Sequence, residues 1–156
     1  MWWWLIQFAI LLAIAWFDFK DRLIPLLLFI AAFCLAGVHL YQNLWQCPMV
    51  LLNVGVGLIQ IFLVAFWLKI RNRNLDFFND AFGWGDVFML LIVAFYFVPM
   101  QYLVFIIISC VLSIAFALIV GWRFRKRTLS IPLAGIMAVL LLLYQSYLYL
   151  TDSLSI

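Results

Sequence analysis

The chain has 156 residues, of which 71% are hydrophobic and only 10% are charged. A soluble domain of this size could not hide so much apolar surface, because a small protein leaves a large share of its chain exposed. This composition excludes a soluble enzyme, a disordered segment and a secreted disulfide scaffold. The apolar residues form long runs, so the sequence predicts an all-α, polytopic membrane protein.

Six apolar runs are long enough, or nearly so, to cross the hydrocarbon core, which takes about 20 helical residues. Their expected limits are Trp2 to Phe17, Ile24 to Trp45, Met49 to Trp67, Trp84 to Val98, Met100 to Trp122 and Ile131 to Leu150. The first and fourth runs are short, and each has an aspartate at one end. We therefore expect a single membrane domain of six transmembrane helices over residues 1–156.

The net charge of +3 comes from nine basic residues and six acidic ones, and every acid is an aspartate. All nine Lys and Arg residues fall in the breaks after the first, third and fifth runs, which are on one side of the membrane in a six-helix topology. Since cytoplasmic loops carry the excess of Lys and Arg, the chain is expected in the cytoplasmic (inner) membrane with both termini outside. This arrangement favours the lipid bilayer, and not nucleic acid, as the partner of the basic residues.

Two aspartates stand apart from the other charges on the predicted cytoplasmic side. Asp18 directly follows the first apolar run, and Asp86 lies where the fourth run begins. Carboxylates at membrane depth are costly and usually functional. Because both are expected at the same boundary and at the ends of different helices, a helix pair can bring them together.

Two neighbouring carboxylates cannot both ionise cheaply, so one of them keeps a proton at neutral pH. The ionised carboxylate can activate water and the protonated one can donate to a carbonyl oxygen, which is the metal-free chemistry of an aspartic protease. Gly83 and Gly85 permit positive φ angles and the close approach of an extended substrate strand. Asp86, at a helix start, would also feel the positive end of the helix dipole, which favours its ionised form.

Simpler interpretations exist for each aspartate. Asp86 could be only the N-cap of the fourth helix, and Asp18 and Asp21 could be ordinary charges in a tight loop. The alternative function is a non-enzymatic membrane carrier subunit or an assembly scaffold. A carrier is expected to place polar groups near the bilayer midplane, whereas these acids gather at one boundary.

Three segments resemble a known family. Asp18-Phe19-Lys20-Asp21-Arg22-Leu23-Ile24-Pro25 resembles the first signature of the type IV prepilin leader peptidases, which places a catalytic aspartate seven residues before the proline of an Ile-Pro pair. Gly83-Trp84-Gly85-Asp86 resembles their second signature, GxGD, and Ile131-Pro132-Leu133-Ala134-Gly135 is similar to a weaker Ile-Pro element that opens the last helix. The six expected helices also resemble the compact core shared with archaeal preflagellin peptidases.

The resemblance implies an aspartic endopeptidase of pilus or secretion systems, which cleaves prepilin-like membrane proteins after a short basic leader at the cytoplasmic membrane face. Asp18 and Asp86 would be its catalytic pair, and Gly83 and Gly85 would shape the loop beside them. Asp76 and Asp80 are expected as loop charges that attract the basic leader. Larger bacterial members carry a cysteine-rich insert, which this chain lacks, so the resemblance implies peptidase chemistry without zinc or another cofactor.

Polar residues elsewhere have structural interpretations. Asn53 and Gln60 are seven residues apart and share one face of the third helix, where an interhelical hydrogen bond is expected. Gly55 and Gly57 are expected to allow close helix contact. His39 is the only histidine, and it is predicted near the outer face, away from Ser130, so a serine or metal hydrolase is disfavoured.

Overall fold

The computed structural model describes residues 2–20, 24–71, 83–124 and 133–154. The described residues form six α-helices: α1 (Trp2–Lys20), α2 (Leu26–Gln42), α3 (Cys47–Arg71), α4 (Trp84–Val93), α5 (Pro99–Phe124) and α6 (Leu133–Leu154). A short 3-10 turn, Leu44–Gln46, joins α2 to α3. The prediction of an all-α fold is confirmed for the described chain. Asp21, Asp76 and Asp80 lie outside the described residues.

Prolines mark where the helices begin. Pro25 directly precedes α2, Pro48 is the second residue of α3, and Pro99 is the first residue of α5. Proline has no N–H group, and the first turn of a helix has no intrahelical acceptor for one, so proline is tolerated there and nowhere further along. No other proline lies within the six helices, so proline interrupts none of them beyond the first turn.

Within the described residues, three helical segments are long and apolar enough to cross a membrane, namely Leu44–Trp67, Pro99–Val120 and Leu133–Thr151. Large apolar side chains cover their outer surfaces and those of the shorter helices. Leu27, Leu51 and Leu118, for example, are 76%, 79% and 68% exposed. So much exposed apolar surface is unfavourable in water and favourable in lipid. The chain is therefore a membrane protein, while six complete crossings and outward termini stay predictions.

The fourth helix is shorter than the sequence predicts. The expected limit was Val98, but α4 ends at Val93 and contains only 10 residues, and turns follow it until α5 begins at Pro99. At 1.5 Å per residue, α4 is about 15 Å long, roughly half the thickness of the hydrocarbon core. The residues up to Val98 are as apolar as the helix, so composition alone cannot show where α4 ends. The residue before a proline disfavours the helical conformation, which agrees with the break before Pro99.

The chain divides into two compact units. The first consists of Met1–Ala32 and Val104–Ile156, and in it α1 packs against α6. Leu11, Ile14 and Ala15 are buried on α1 at the three- and four-residue spacing of one helix face. Four residues on α6 repeat this pattern: Ala134, Met137, Ala138 and Leu141. Asp18 is seven residues after Leu11, so it falls on the same buried face of α1.

The second unit is Phe33–Leu103, in which α3 packs against α4. Two ring contacts attach α2 to the turns that follow α4. The ring of Phe33 lies edge-on to that of Phe95 with centroids 5.2 Å apart, and His39 stacks on Tyr96 at 5.1 Å. These contacts fix the non-helical segment between α4 and α5 against its neighbours.

Candidate active site

Asp18 lies in the last turn of α1, because that helix continues to Lys20 instead of ending at Phe17. The residue is only 9% exposed. Its Oδ2 atom accepts a hydrogen bond from the backbone N–H of Gly135, with a donor–acceptor distance of 2.6 Å. Asp18 is therefore not an ordinary loop charge, and that alternative interpretation is wrong.

The partner of Asp18 is the first turn of the last helix. Gly135 is the third residue of α6, and the first four N–H groups of a helix have no acceptor within the helix. The Asp18 carboxylate supplies an acceptor for one of them. Hydrogen bonds from N–H groups and the positive end of a helix dipole both stabilise a negatively charged carboxylate.

Gly135 also leaves the space that the carboxylate occupies. A Cβ atom at position 135 would lie 2.9 Å from Asp18 Oδ2 and 3.2 Å from both Asp18 Cβ and Phe19 Cε2. These distances are shorter than an ordinary van der Waals contact. The sequence placed Gly135 in the Ile-Pro element but gave it no role; the available signal was a glycine in the first turn of the last predicted helix.

Asp86 lies in the first turn of α4, as its third residue. The N-cap is Gly83, whose carbonyl oxygen accepts the Asp86 N–H at 3.0 Å, so the interpretation of Asp86 as the N-cap is wrong. The side chain is partly buried and folds back toward its own helix start, since Oδ2 would lie 3.5 Å from a Cβ on Gly83. Its carboxylate is thus near the positive end of α4, as the sequence predicted.

The two glycines of the GxGD segment do not use a left-handed backbone. Gly83 has φ −71° and ψ 142°, an extended conformation open to any residue, and Gly85 is inside the right-handed helix α4. Neither position therefore uses the positive φ angle that glycine permits. The missing side chain of Gly83 still leaves space beside Asp86, because a Cβ there would come no closer than 3.5 Å to Oδ2.

The predicted site residues thus fall into three groups. The structure brings Asp18 and Gly135 together in the first unit, and it places Gly83, Gly85 and Asp86 together in the second. The meeting of Asp18 with Asp86 joins residues of different units and stays a prediction. Asp76 and Asp80, expected to attract a basic leader, lie outside the described residues.

In the second unit, polar side chains donate hydrogen bonds to carbonyl groups at the end of the short helix α4 and in the turns after it. Asn53 is fully buried on α3, and its side-chain amide donates to the carbonyl oxygens of Ala94 at 3.1 Å and Phe97 at 2.6 Å. This confirms the expected interhelical hydrogen bond for Asn53. The Tyr102 hydroxyl, which the sequence did not single out, donates to Leu90 O at 3.3 Å.

Tyr102 also explains why one position of α3, Gly57, has no room for a side chain. A Cβ on Gly57 would lie 2.7 Å from the Tyr102 hydroxyl oxygen, so the expected close contact is confirmed there. A Cβ on Gly55 would meet nothing within 4 Å, so the same expectation is wrong at that position.

Comparison with known families decides between the functional classes. The model of the type IV leader peptidase family matches residues 5–118, which include Asp18 and the segment from Gly83 to Asp86. The chain belongs to the type IV leader peptidase family. Searches among the curated proteins and the solved structures found no match.

Membership of the type IV leader peptidase family makes the chain a membrane protease, and proteases of this family are of the aspartic type. The resemblance drawn from the sequence is thereby confirmed at the level of the family. The matched residues end before α6, so the contact of Gly135 with Asp18 is a finding of the structure alone.

Proposed function

We propose that this leader peptidase is an intramembrane aspartic endopeptidase that removes the basic leader from prepilin-like precursors at the cytoplasmic face of the inner membrane. The observation that carries the proposal is the burial of the Asp18 carboxylate. A carboxylate that is 9% exposed at the end of an apolar helix is costly to bury, and it lies within the residues that match the family. Such a group is typical of a catalytic site.

The proposed reaction uses Asp18 and Asp86 as one acid–base pair. One carboxylate takes a proton from water while the water oxygen bonds to the scissile carbonyl carbon, and the other carboxyl gives its proton to the carbonyl oxygen. The product of this step is a neutral gem-diol, without an acyl-enzyme. The C–N bond then breaks as the first carboxyl protonates the leaving nitrogen and a gem-diol hydroxyl returns its proton to the second.

The substrate is proposed to bind as an extended strand beside the start of α4, where the missing side chains of Gly83 and Gly85 would allow a second backbone to approach. Prepilin-like proteins fit this arrangement because they combine an apolar helix, which can lie in the bilayer, with a short basic leader on the cytoplasmic side. Asp76 and Asp80 would attract that leader through their negative charge.

The test is a cleavage assay on the solubilised full-length protein with a prepilin-like peptide, read by mass spectrometry. We predict a single cut after the basic leader. Asp18→Asn and Asp86→Asn should each insert into the membrane normally and reduce the rate roughly 10²–10⁴-fold, the usual contribution of a general acid or base. Asp152→Asn, which changes the aspartate predicted on the outer side, is the matched control and should cleave as the native protein does.

Each result has a clear meaning. Cleavage at the native rate by either active-site variant would remove that aspartate from the mechanism. A native protein that leaves every such peptide intact would refute the endopeptidase and favour a non-enzymatic scaffold.

A further inference from the structure

We infer that Gly135 is a positioning residue of this peptidase: its N–H group fixes the carboxylate of Asp18, and its missing side chain leaves the space in which that carboxylate stands. The inference rests on the proposed function for its catalytic meaning, but the contact itself can be tested separately. Its basis is the junction between the end of α1 and the start of α6.

The first step of the argument concerns orientation. An aspartate carboxylate can rotate about two side-chain bonds, and a hydrogen bond to one oxygen selects among these rotations. Gly135 N–H donates to Oδ2 of Asp18 at 2.6 Å, a short distance for an N–H···O hydrogen bond. The donor is part of a helix backbone, so it cannot swing away as a side-chain donor could.

The second step concerns rigidity. The surfaces of α1 and α6 that meet here contain small buried residues, with Ala15 on α1 and Ala134 and Ala138 on α6. Small residues let two helix backbones approach closely. Separating the helices to make room for a side chain at position 135 would open this packing. The Asp18 carboxylate itself would therefore have to move.

The third step concerns function. A reacting group must be held within a fraction of an ångström of its productive position, and a displacement of about 1 Å can reduce the rate on the order of 10²-fold. Gly135 N–H bonds the Asp18 carboxylate, and a Cβ added at position 135 would meet only Asp18 and Phe19 among its nearest atoms. Its replacement should therefore reduce kcat and leave KM nearly unchanged.

The kinetic experiment compares Gly135→Ala with Gly37→Ala in the full-length protein. Both glycines follow an alanine within a helix, but a Cβ on Gly37 would meet nothing within 4 Å. We expect kcat to fall on the order of 10²-fold for Gly135→Ala, with KM within about twofold of the native value, and no change in either constant for Gly37→Ala. A native kcat in Gly135→Ala would overturn the inference.

The added Cβ would also crowd the ring of Phe19, and a double variant separates this effect from the effect on Asp18. Phe19 is 42% exposed, and its ring lies edge-on to that of Phe116 with centroids 5.6 Å apart. Phe19→Leu shortens the crowded side chain and loses this ring contact, so the single variant is the reference for the double one. The low kcat should persist in Gly135→Ala/Phe19→Leu, compared with Phe19→Leu alone. Recovery of kcat in the double variant would assign the loss to ring packing and overturn the positioning role.

A second measurement needs neither substrate nor a change at Gly135. Alanine directly precedes glycine at only two places in the sequence, Ala36-Gly37 and Ala134-Gly135. Labelling alanine carbonyls with ¹³C and glycine nitrogen with ¹⁵N therefore isolates two amide signals by NMR. We expect Asp18→Asn to move the Gly135 amide proton upfield, because its acceptor loses charge, and to leave Gly37 unchanged.

An unchanged Gly135 signal in Asp18→Asn would overturn the inference whether or not the native protein cleaves prepilin-like peptides. Absence of cleavage by the native protein, with the NMR shift present, would instead refute the proposed function and leave the contact established.

Discussion

At the scale of single residues, the proposed chemistry rests on two aspartates, one in the last turn of α1 and one in the first turn of α4, each with a glycine beside it. Asp18 is buried against Gly135 N–H, and Asp86 folds back toward Gly83 in the first turn of α4. In an apolar protein each carboxylate needs such donors or partners, because desolvation opposes its charge. The absent Cβ atoms therefore matter for different reasons: at Gly135 the carboxylate fills the space, and at Gly83 a substrate is proposed to fill it.

Gly83→Ala tests the proposal that a substrate fills the space at Gly83. The added Cβ would lie 3.5 Å from Asp86 Oδ2 and 4.0 Å from Gly85 N, both ordinary contacts, and the backbone conformation suits alanine. We therefore predict normal insertion and native thermal stability, together with a fall in kcat/KM of about tenfold or more, since a substrate backbone beside the loop would meet the new methyl group. An unchanged kcat/KM would show that the substrate does not pass this position.

The sequence predicted the two aspartates but not what surrounds them. Asp18 stands out because it directly follows the first apolar run and lies seven residues before Pro25, and Asp86 because it ends the GxGD segment where the fourth run begins. The donor from Gly135 is more than one hundred residues further along the chain, and no local pattern can reveal which helix start faces Asp18. The φ angle of Gly83 was also beyond the sequence, because glycine permits a left-handed backbone without requiring it.

At the scale of the helices, the main feature is the early end of α4. Its final carbonyl groups and those of the following turns cannot remain unbonded in an apolar environment. The Asn53 amide donates to the carbonyl oxygens of Ala94 and Phe97, and the Tyr102 hydroxyl is a second donor to that of Leu90, which also accepts the Ala94 N–H at 3.2 Å. The predicted interhelical hydrogen bond of Asn53 is confirmed. The end of α4 could not be predicted, because residues 94–98 are as apolar as the helix before them.

Gly57 and Tyr102 provide a test of this packing. Gly57→Ala would place a Cβ 2.7 Å from the buried Tyr102 hydroxyl oxygen, so we predict a loss of roughly 1–3 kcal/mol in the free energy of unfolding. Gly55→Ala, two residues away on the same helix, meets nothing within 4 Å and should be neutral or stabilising by up to about 1 kcal/mol. Denaturant unfolding in detergent measures both.

Removal of the hydroxyl should relieve the crowding. Without it, the nearest ring atom, Cζ, would be an ordinary 3.8 Å from the added methyl group. The double variant Gly57→Ala/Tyr102→Phe is therefore predicted to be more stable than the sum of the two single losses implies. Strict additivity of the two changes would contradict the close contact.

At the scale of the whole molecule, the number and order of the helices followed from the apolar runs, and the family followed from two short motifs. The exact limits of the helices did not, and the end of α4 differs most, because hydropathy shows where a chain is apolar and not where its helical hydrogen bonds end. The chain forms two compact units, and each carries one of the two aspartates. The account therefore depends on these aspartates acting as one pair at the cytoplasmic boundary.

Cross-linking tests that pairing most directly. The native cysteines Cys34, Cys47 and Cys110 are exposed and can be replaced by serine. In this background, Asp18→Cys/Asp86→Cys in membranes is treated with a short reagent that bridges two thiols, and linked peptides are detected by mass spectrometry. Asp18→Cys/Gly135→Cys is the positive control, since a Cβ at position 135 would lie 3.2 Å from Cβ of residue 18, close to the separation of about 3.5–4.5 Å in disulfides.

The account predicts that positions 18 and 86 are linked as readily as the control pair. A control that links fully while positions 18 and 86 remain unlinked, with and without a prepilin-like peptide, would contradict a shared catalytic site.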